Sequence, residues 1–239
     1  MLKAITFDLW ETLITSSDPE QEARREKLRI EGMLARLISF GYSISLDEVR
    51  KAYDRSGEKI EEFRKSLREL DTKTHLAYFL ECLEIDKQNE ELLRALKKPY
   101  TEASLTEVPI LVENAKETID TIKNTKYKIG LISNVGRTPG RIIRVYLRNY
   151  DLLHEFDTVS FSDEVGFRKP HEKIFLQTLS KLGVSAGEAM HVGDDPHADI
   201  YGAKKVGMKT CLLGLDTGDV EPDFVIPELK KLENILFSK

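Results

Sequence analysis

Four short apolar runs constrain this chain more than any other feature. "YKIGLIS" (Tyr127 to Ser133), "FDTVSFS" (Phe156 to Ser162), "AMHVG" (Ala189 to Gly193) and "KTCLLG" (Lys209 to Gly214) are rich in Ile, Val and Leu. Helical patterns lie between them, such as "VENAKETIDTIKN", "HEKIFLQTLSKLG" and "DIYGAKKVG", the last two closed by Gly183 and Gly207 as helix caps. Strand and helix in alternation predict an α/β fold, a doubly wound parallel sheet with helices on both faces. The N-terminal "LKAITF" has the same texture and is expected to join the sheet as a central strand.

Between Asp18 and about Ser104 the pattern changes. "PEQEARREKLRIEGMLARLISF", "LDEVRKAYDRSGEKIEEFRKSL", "TKTHLAYFLECLEI" and "NEELLRALKKPY" carry apolar residues at helical spacing on charged backgrounds. A helical bundle inserted after the first strand is therefore predicted. It divides the chain into a core of residues 1–16 and 106–239 and an insertion of residues 17–105, joined near Thr15 to Ser17 and Leu105 to Pro109.

Composition removes several function classes. Of 239 residues, 36 are Lys or Arg and 41 are Asp or Glu, and the net charge of -5 gives no electrostatic reason to bind nucleic acid or an anionic membrane. No run of 18 apolar residues and no cleavage-site pattern occurs, so a cytoplasmic protein acting on a small soluble molecule is expected. Cys82 and Cys211 stand far apart without metal-ligand spacing and read as reduced thiols.

Ligands of doubly wound sheets bind at the carboxyl ends of the strands. Here the first strand ends in Asp8 and the next core strand in Ser133 and Asn134. The third is followed by "GFRKP" with Lys169, and the fourth by "GDDPHAD" with Asp194, Asp195 and Asp199. Any one of these has a dull explanation, since Asp commonly caps a helix and lysine is commonly solvated. Together they supply a nucleophile, phosphate-oxygen donors, a cation and carboxylates for a metal, which are the parts of phosphoryl transfer.

In this order the motifs "FDLWETL", "LISN", "GFRKP" and "VGDDPHAD" resemble those of the haloacid dehalogenase (HAD) superfamily, and the helical insertion is similar to that family's cap domain. The resemblance implies that Asp8 attacks the substrate to form a covalent ester, an aspartyl phosphate in a phosphatase. It also implies that Lys169 holds Asp8 and the transferred group, and that Ser133, with Asn134 beside it, donates to that group. Thr12 would position Asp8 from below. A magnesium ion would lie between Asp8, the Trp10 carbonyl and Asp194, with Asp199 and Asp195 steadying the site from behind.

Trp10 departs from the family's phosphatases, which usually carry a second Asp there to protonate the departing alcohol, a contribution of about 10²–10⁴-fold. The family's dehalogenases carry an aromatic residue at this place, and a halide leaves without a proton. The acid cluster points the other way, because three carboxylates within six residues repel one another unless a cation compensates them, and oxygen-only ligands suit magnesium. The expectation is thus a magnesium-dependent phosphatase of small phosphate esters, with metal-free 2-haloacid dehalogenation as the alternative. Glu11, where the family usually has a small residue, is a candidate for the missing acid or simply a solvated side chain. His191 and His197 are expected to pack or cap, whereas Arg137 and Arg24 or Arg25 could meet an anionic substrate.

Overall fold

The structure is a computed structural model and describes residues 1–237. Eight strands run in chain order as β1 (Ala4–Phe7), β2 (Ile14–Thr15), β3 (Ile110–Leu111), β4 (Lys128–Ser133), β5 (Thr158–Phe161), β6 (Ala189–Gly193), β7 (Lys209–Leu213) and β8 (Phe224–Ile226). Six of them form one parallel sheet in the order β5-β4-β1-β6-β7-β8. Every residue of β1 is buried. That burial explains why its sequence is a continuous run rather than an alternation: both faces of a central parallel strand are covered. Ile5 and Phe7 pack into one cluster with Ile119, Leu131, Ile143 and Phe161, while Ala4 joins Ile132, Phe175 and Leu179 on the other side.

The first four helices, α1 (Gln21–Ser39), α2 (Leu46–Arg64), α3 (Thr72–Cys82) and α4 (Glu90–Glu102), pack around a cluster of their own built from Ile30, Met33, Tyr53, Phe79, Leu80 and Leu96. Ser45 and Glu48 form a reciprocal capping box at the start of α2, and Asp71 and Asn89 cap α3 and α4. Gly32 of α1 lets Pro99 of α4 come close; a Cβ there would lie 2.7 Å from Pro99 Cβ. The chain leaves the sheet through β2 and returns through β3, and these two pair antiparallel.

The remaining helices are α5 (Ala115–Lys123), α6 (Gly140–Asn149), α7 (Ser162–Val165), α8 (Glu172–Leu182), α9 (Gly202–Lys205) and α10 (Leu232–Phe237). Gly183 ends α8 with φ 65° and Gly207 follows α9 with φ 87°, both left-handed as their glycines foretold. Sequence patterning overlooks α6, the short pair β2 and β3, and β8. "DIYGAKKVG" also begins differently from expectation, since Pro196–Tyr201 forms a π-helical turn before α9. After β1 the sheet grows outward through β4 and β5, then resumes on the opposite side with β6. The strand order therefore reverses at β1, which opens a crevice at the carboxyl ends of β1 and β6.

Candidate active site

The segments after β1, β4, β5 and β6 bring Asp8, Asn134, Lys169, Asp194 and Asp199 to this crevice, with Ser133 buried behind Asn134. Asp8 follows β1 directly, and its N–H donates to the Val192 carbonyl of β6 at 2.8 Å. Lys169 reaches in from the loop after α7. Its main chain is gripped at both ends by one side chain: its N–H donates to Asn134 Oδ1 at 2.7 Å, and Asn134 Nδ2 donates to its carbonyl at 3.0 Å. The buried Lys169 ammonium then donates to Asp8 Oδ1 and, at 2.5 Å, to Asp199 Oδ1.

Asp199 is held from every side. Beyond Lys169 it contacts His191 Nε2 at 3.0 Å and accepts from the Asp195 N–H at 3.1 Å. His191 Nδ1 in turn lies 2.9 Å from the Thr6 hydroxyl. Gly193 makes this possible, because a Cβ there would sit 2.4 Å from the Asp199 carboxylate. The result is a buried chain running Thr6, His191, Asp199, Lys169, Asp8. Thr6 is absent from the sequence-based site, because its place opposite His191, two polar residues side by side in adjacent buried strands, is set by the register of the folded sheet.

Electrostatics divide the carboxylates. Burial pushes the Asp8 carboxyl well above its ordinary range, with Lys169 opposing and Asp199 and Asp194 adding repulsion. Burial, then Asp199, raise Asp194 to about 6. Asp199 goes the other way: burial disfavours its charge, but Lys169 and His191 more than compensate and hold it well below the usual range. Burial likewise opposes the charge on Lys169, yet Asp199 and Asp8 keep its pKa above that of an ordinary lysine. Burial depresses His191 despite Asp199.

One oxygen from each of Asp8, Asp194 and Asp199 lies within 4.8 Å of the others, so the cluster could hold a metal ion. The donor set fits a hard divalent cation, which takes oxygen ligands. Asp8 and Asp194 are the carboxylates whose negative charge is undercompensated, and these are the two that a cation would relieve. Asp199 is already saturated by Lys169 and His191.

Several expected residues take other partners. Thr12 donates to Asp194 Oδ1 at 3.2 Å rather than to Asp8, so it orients the fourth-motif carboxylate. Asn134 spends both ends of its amide on the Lys169 main chain while still lining the crevice. Asp195 accepts from the His197 and Ala198 N–H groups, both at 2.8 Å, and so caps the π-helical turn. Ser133 is fully buried, its hydroxyl 3.2 Å from the Asn134 carbonyl. Glu11 is exposed on the rim, has φ 56° and accepts from the Thr15 hydroxyl at 2.6 Å. The left-handed backbone explains why a small residue is the usual occupant of this place. His197 stacks on Tyr201 at 5.1 Å between ring centroids.

The crevice over Asp8 and Lys169 has a volume of about 180 Å³. It adjoins a larger cavity of about 330 Å³ against α1, and the two share Trp10 and Asn134 as walls. Arg24 is taken up by Asp18 and Glu107 on the outer face. Arg25 and Arg137 both line the larger cavity.

Residues 2–207 match the model of the haloacid dehalogenase-like hydrolase family, and the chain belongs to that family. Over 98% of its length it is 32% identical to the glyceraldehyde 3-phosphate phosphatase of Pyrococcus furiosus, covering 93% of that protein. Among solved structures, a HAD phosphatase from Thermococcus onnurineus superposes with a TM-score of 0.66 at 30% identity, with 100% of this chain and 99% of that one covered. A 2-haloacid dehalogenase from Pseudomonas syringae pv. Tomato reaches 0.72 at 23% identity, covering 99% and 98%, and shares the fold. The chain is thus a hydrolase of the haloacid dehalogenase type, an α/β enzyme.

Proposed function

We propose that this hydrolase is a magnesium-dependent phosphatase of small phosphate esters that works through a phosphorylated Asp8. The observation that carries the reading is the pairing of Asp8 with an undercompensated Asp194 beside a saturated Lys169 and Asp199. Magnesium held by Asp8, the Trp10 carbonyl and Asp194 would neutralise phosphate charge at the crevice. With magnesium bound beside it, Asp8 would be ionised and present its free oxygen to phosphorus, and Lys169, which donates to Oδ1, aims that carboxylate. Ser133 would turn its hydroxyl from the Asn134 carbonyl to the phosphoryl oxygens, with Asn134 holding Lys169 in register and Thr12 holding Asp194. Asp199 and Asp195 act from behind.

Residues 17–105 serve as a cap over the core formed by residues 1–16 and 106–239, since α1 supplies one wall of the cavity beside the crevice. The names of the similar phosphatases favour a small phosphate ester as substrate. Among the described residues no helix is long and apolar enough to cross a membrane, which agrees with a cytoplasmic setting.

Trp10 favours the second reading, metal-free 2-haloacid dehalogenation, because its indole puts no titratable acid beside the leaving group. Assays of p-nitrophenyl phosphate and 2-chloropropionate, each with magnesium and with chelator, decide between the two. Phosphate release that depends on magnesium supports the phosphatase, and halide release in chelator supports the dehalogenase.

A further inference from the structure

Arg137 stands four residues beyond Ser133, at the boundary between the turn after β4 and the four-helix unit. Its guanidinium stacks on the ring of Tyr53 from α2, with Cζ 3.7 Å from the centroid, and Nη2 donates to the Tyr53 carbonyl at 3.3 Å. Gly57, one turn further along α2, leaves room for this approach, since a Cβ there would lie 2.4 Å from Nη2. Arg137 is therefore a positioned cation. Among the described residues it enters no ion pair.

The same cavity wall holds a second cation, this one buried and with an unused donor. Arg29 is 1% exposed, and its Nε has no hydrogen-bond partner. Among the described residues its only carboxylate partner is Glu22, which is shared with Arg25. Arg25, Arg29 and Arg137 thus face a cavity in which Glu22 is the only acid, and that cavity opens beside Trp10 and Asn134, the two residues it shares with the crevice over Asp8. Positive charge gathered on one cavity wall in this way suits an anion, and Arg forks match carboxylate and phosphate oxygens.

We propose that this cavity is a subsite for a second anionic group on the substrate, so that the enzyme prefers phosphate esters whose leaving group carries a carboxylate or a further phosphate. The inference rests on the phosphatase reading, with the scissile phosphate over Asp8 and the second anion against Arg137 and Arg29. Trp10 forms the wall between the two positions.

The test uses the full chain with magnesium and three ligands built on the same three-carbon skeleton: propane-1,3-diol monophosphate, 3-phosphooxypropanoate and propane-1,3-diol bisphosphate. Each is measured as a competitor of p-nitrophenyl phosphate hydrolysis and, independently, by calorimetric binding. The carboxylate or the bisphosphate should bind on the order of tenfold or more tightly than the alcohol, as one charge-assisted hydrogen bond provides. The better of the two tells which anion the subsite takes. Arg137→Ala should collapse the preference to within a few-fold. Gly57→Ala, which crowds the guanidinium without removing its charge, should reduce it too. Equal affinities for the three ligands in wild type, or a preference unchanged in Arg137→Ala, would overturn the subsite. Loss of p-nitrophenyl phosphate turnover with the binding preference intact would instead count against the phosphatase reading.

Discussion

The Arg25 guanidinium lies over the Trp10 indole, its Cζ 5.7 Å from the ring centroid. Trp10 is thereby fixed as an aromatic wall where a proton donor would stand, and no carboxyl acid occupies that place. The enzyme should accordingly favour aryl and acyl phosphates, whose leaving groups need little protonation, and its rate should fall steeply as leaving-group pKa rises. Trp10→Asp should raise alkyl-phosphate turnover, by less than the roughly 10²–10⁴-fold that a positioned acid supplies. Arg25 would hold the new carboxyl ionised and so weaken it as an acid. A leaving-group series on both proteins with magnesium reads this out. A flat dependence in wild type would show that another group, with Glu11 the nearest candidate, already donates the proton.

Metal binding should depend on Asp194 far more than on Asp195, because Asp195 is occupied as a cap by the His197 and Ala198 N–H groups. Calorimetric titration of magnesium should show strong loss of affinity in Asp194→Ala and little change in Asp195→Ser, which keeps a capping oxygen. Equal affinity of wild type and Asp194→Ala would remove Asp194 from the metal site. Thr12→Val should weaken binding modestly, since only the orienting hydrogen bond at 3.2 Å is lost.

Two Asp-to-Asn substitutions should have opposite effects on stability. Asp8 is a buried carboxyl held above its ordinary pKa, so Asp8→Asn removes a charge that folding disfavours. In metal-free buffer its Tm should equal or exceed that of wild type, while its turnover is lost. Asp199 offsets Lys169 and bonds His191, so Asp199→Asn leaves a buried ammonium short of charge. The expected cost is about 3 kcal/mol or more, roughly 6–12 °C in Tm for a chain of this size. Thermal melts of both variants check the contrast; a Tm loss in Asp8→Asn as large as that in Asp199→Asn would contradict it.

Acid should weaken the four-helix unit through His75. Burial, with Arg64 and Arg137 adding repulsion, lowers this imidazole from an ordinary 6.5 to about 3. Between those values the unfolded chain binds the proton and the folded one does not. The contribution of His75 is therefore fully present above about pH 6.5 and is lost as pH falls toward 3, at no more than about 1.4 kcal/mol per pH unit. His191, depressed in the same direction, adds to the loss. Denaturant midpoints across this range should fall less steeply in His75→Gln, which keeps a polar partner for the Tyr100 hydroxyl, 3.1 Å from His75 Nδ1 in wild type. Parallel slopes would exclude His75 as the source.

The sheet and its polar strand ends were legible because each depends on local pattern. A buried parallel strand is a short continuous apolar run, and the residue that ends it is the next letter, as with Phe7 and Asp8 or Gly193 and Asp194. The partners of those side chains were not legible, since they come from register and packing. That Asn134 grips the Lys169 main chain, or that Thr12 turns to Asp194, depends on how loops 35 and 182 residues apart in sequence meet. His191 shows the same limit: only its pairing beside Thr6 and the reach of Asp199 over Gly193 make it part of the site. The short strands β2, β3 and β8 carry two or three residues each, too few for a period to show.

The most direct measurement traps the covalent intermediate. Wild type is mixed with p-nitrophenyl phosphate and magnesium, quenched during turnover with borohydride, digested and analysed by peptide mass. An aspartyl phosphate is reduced to homoserine, so homoserine should appear at position 8 only when substrate and magnesium are both present, and not with chelator. Steady phosphate release with Asp8 unmodified at every quench time would contradict it.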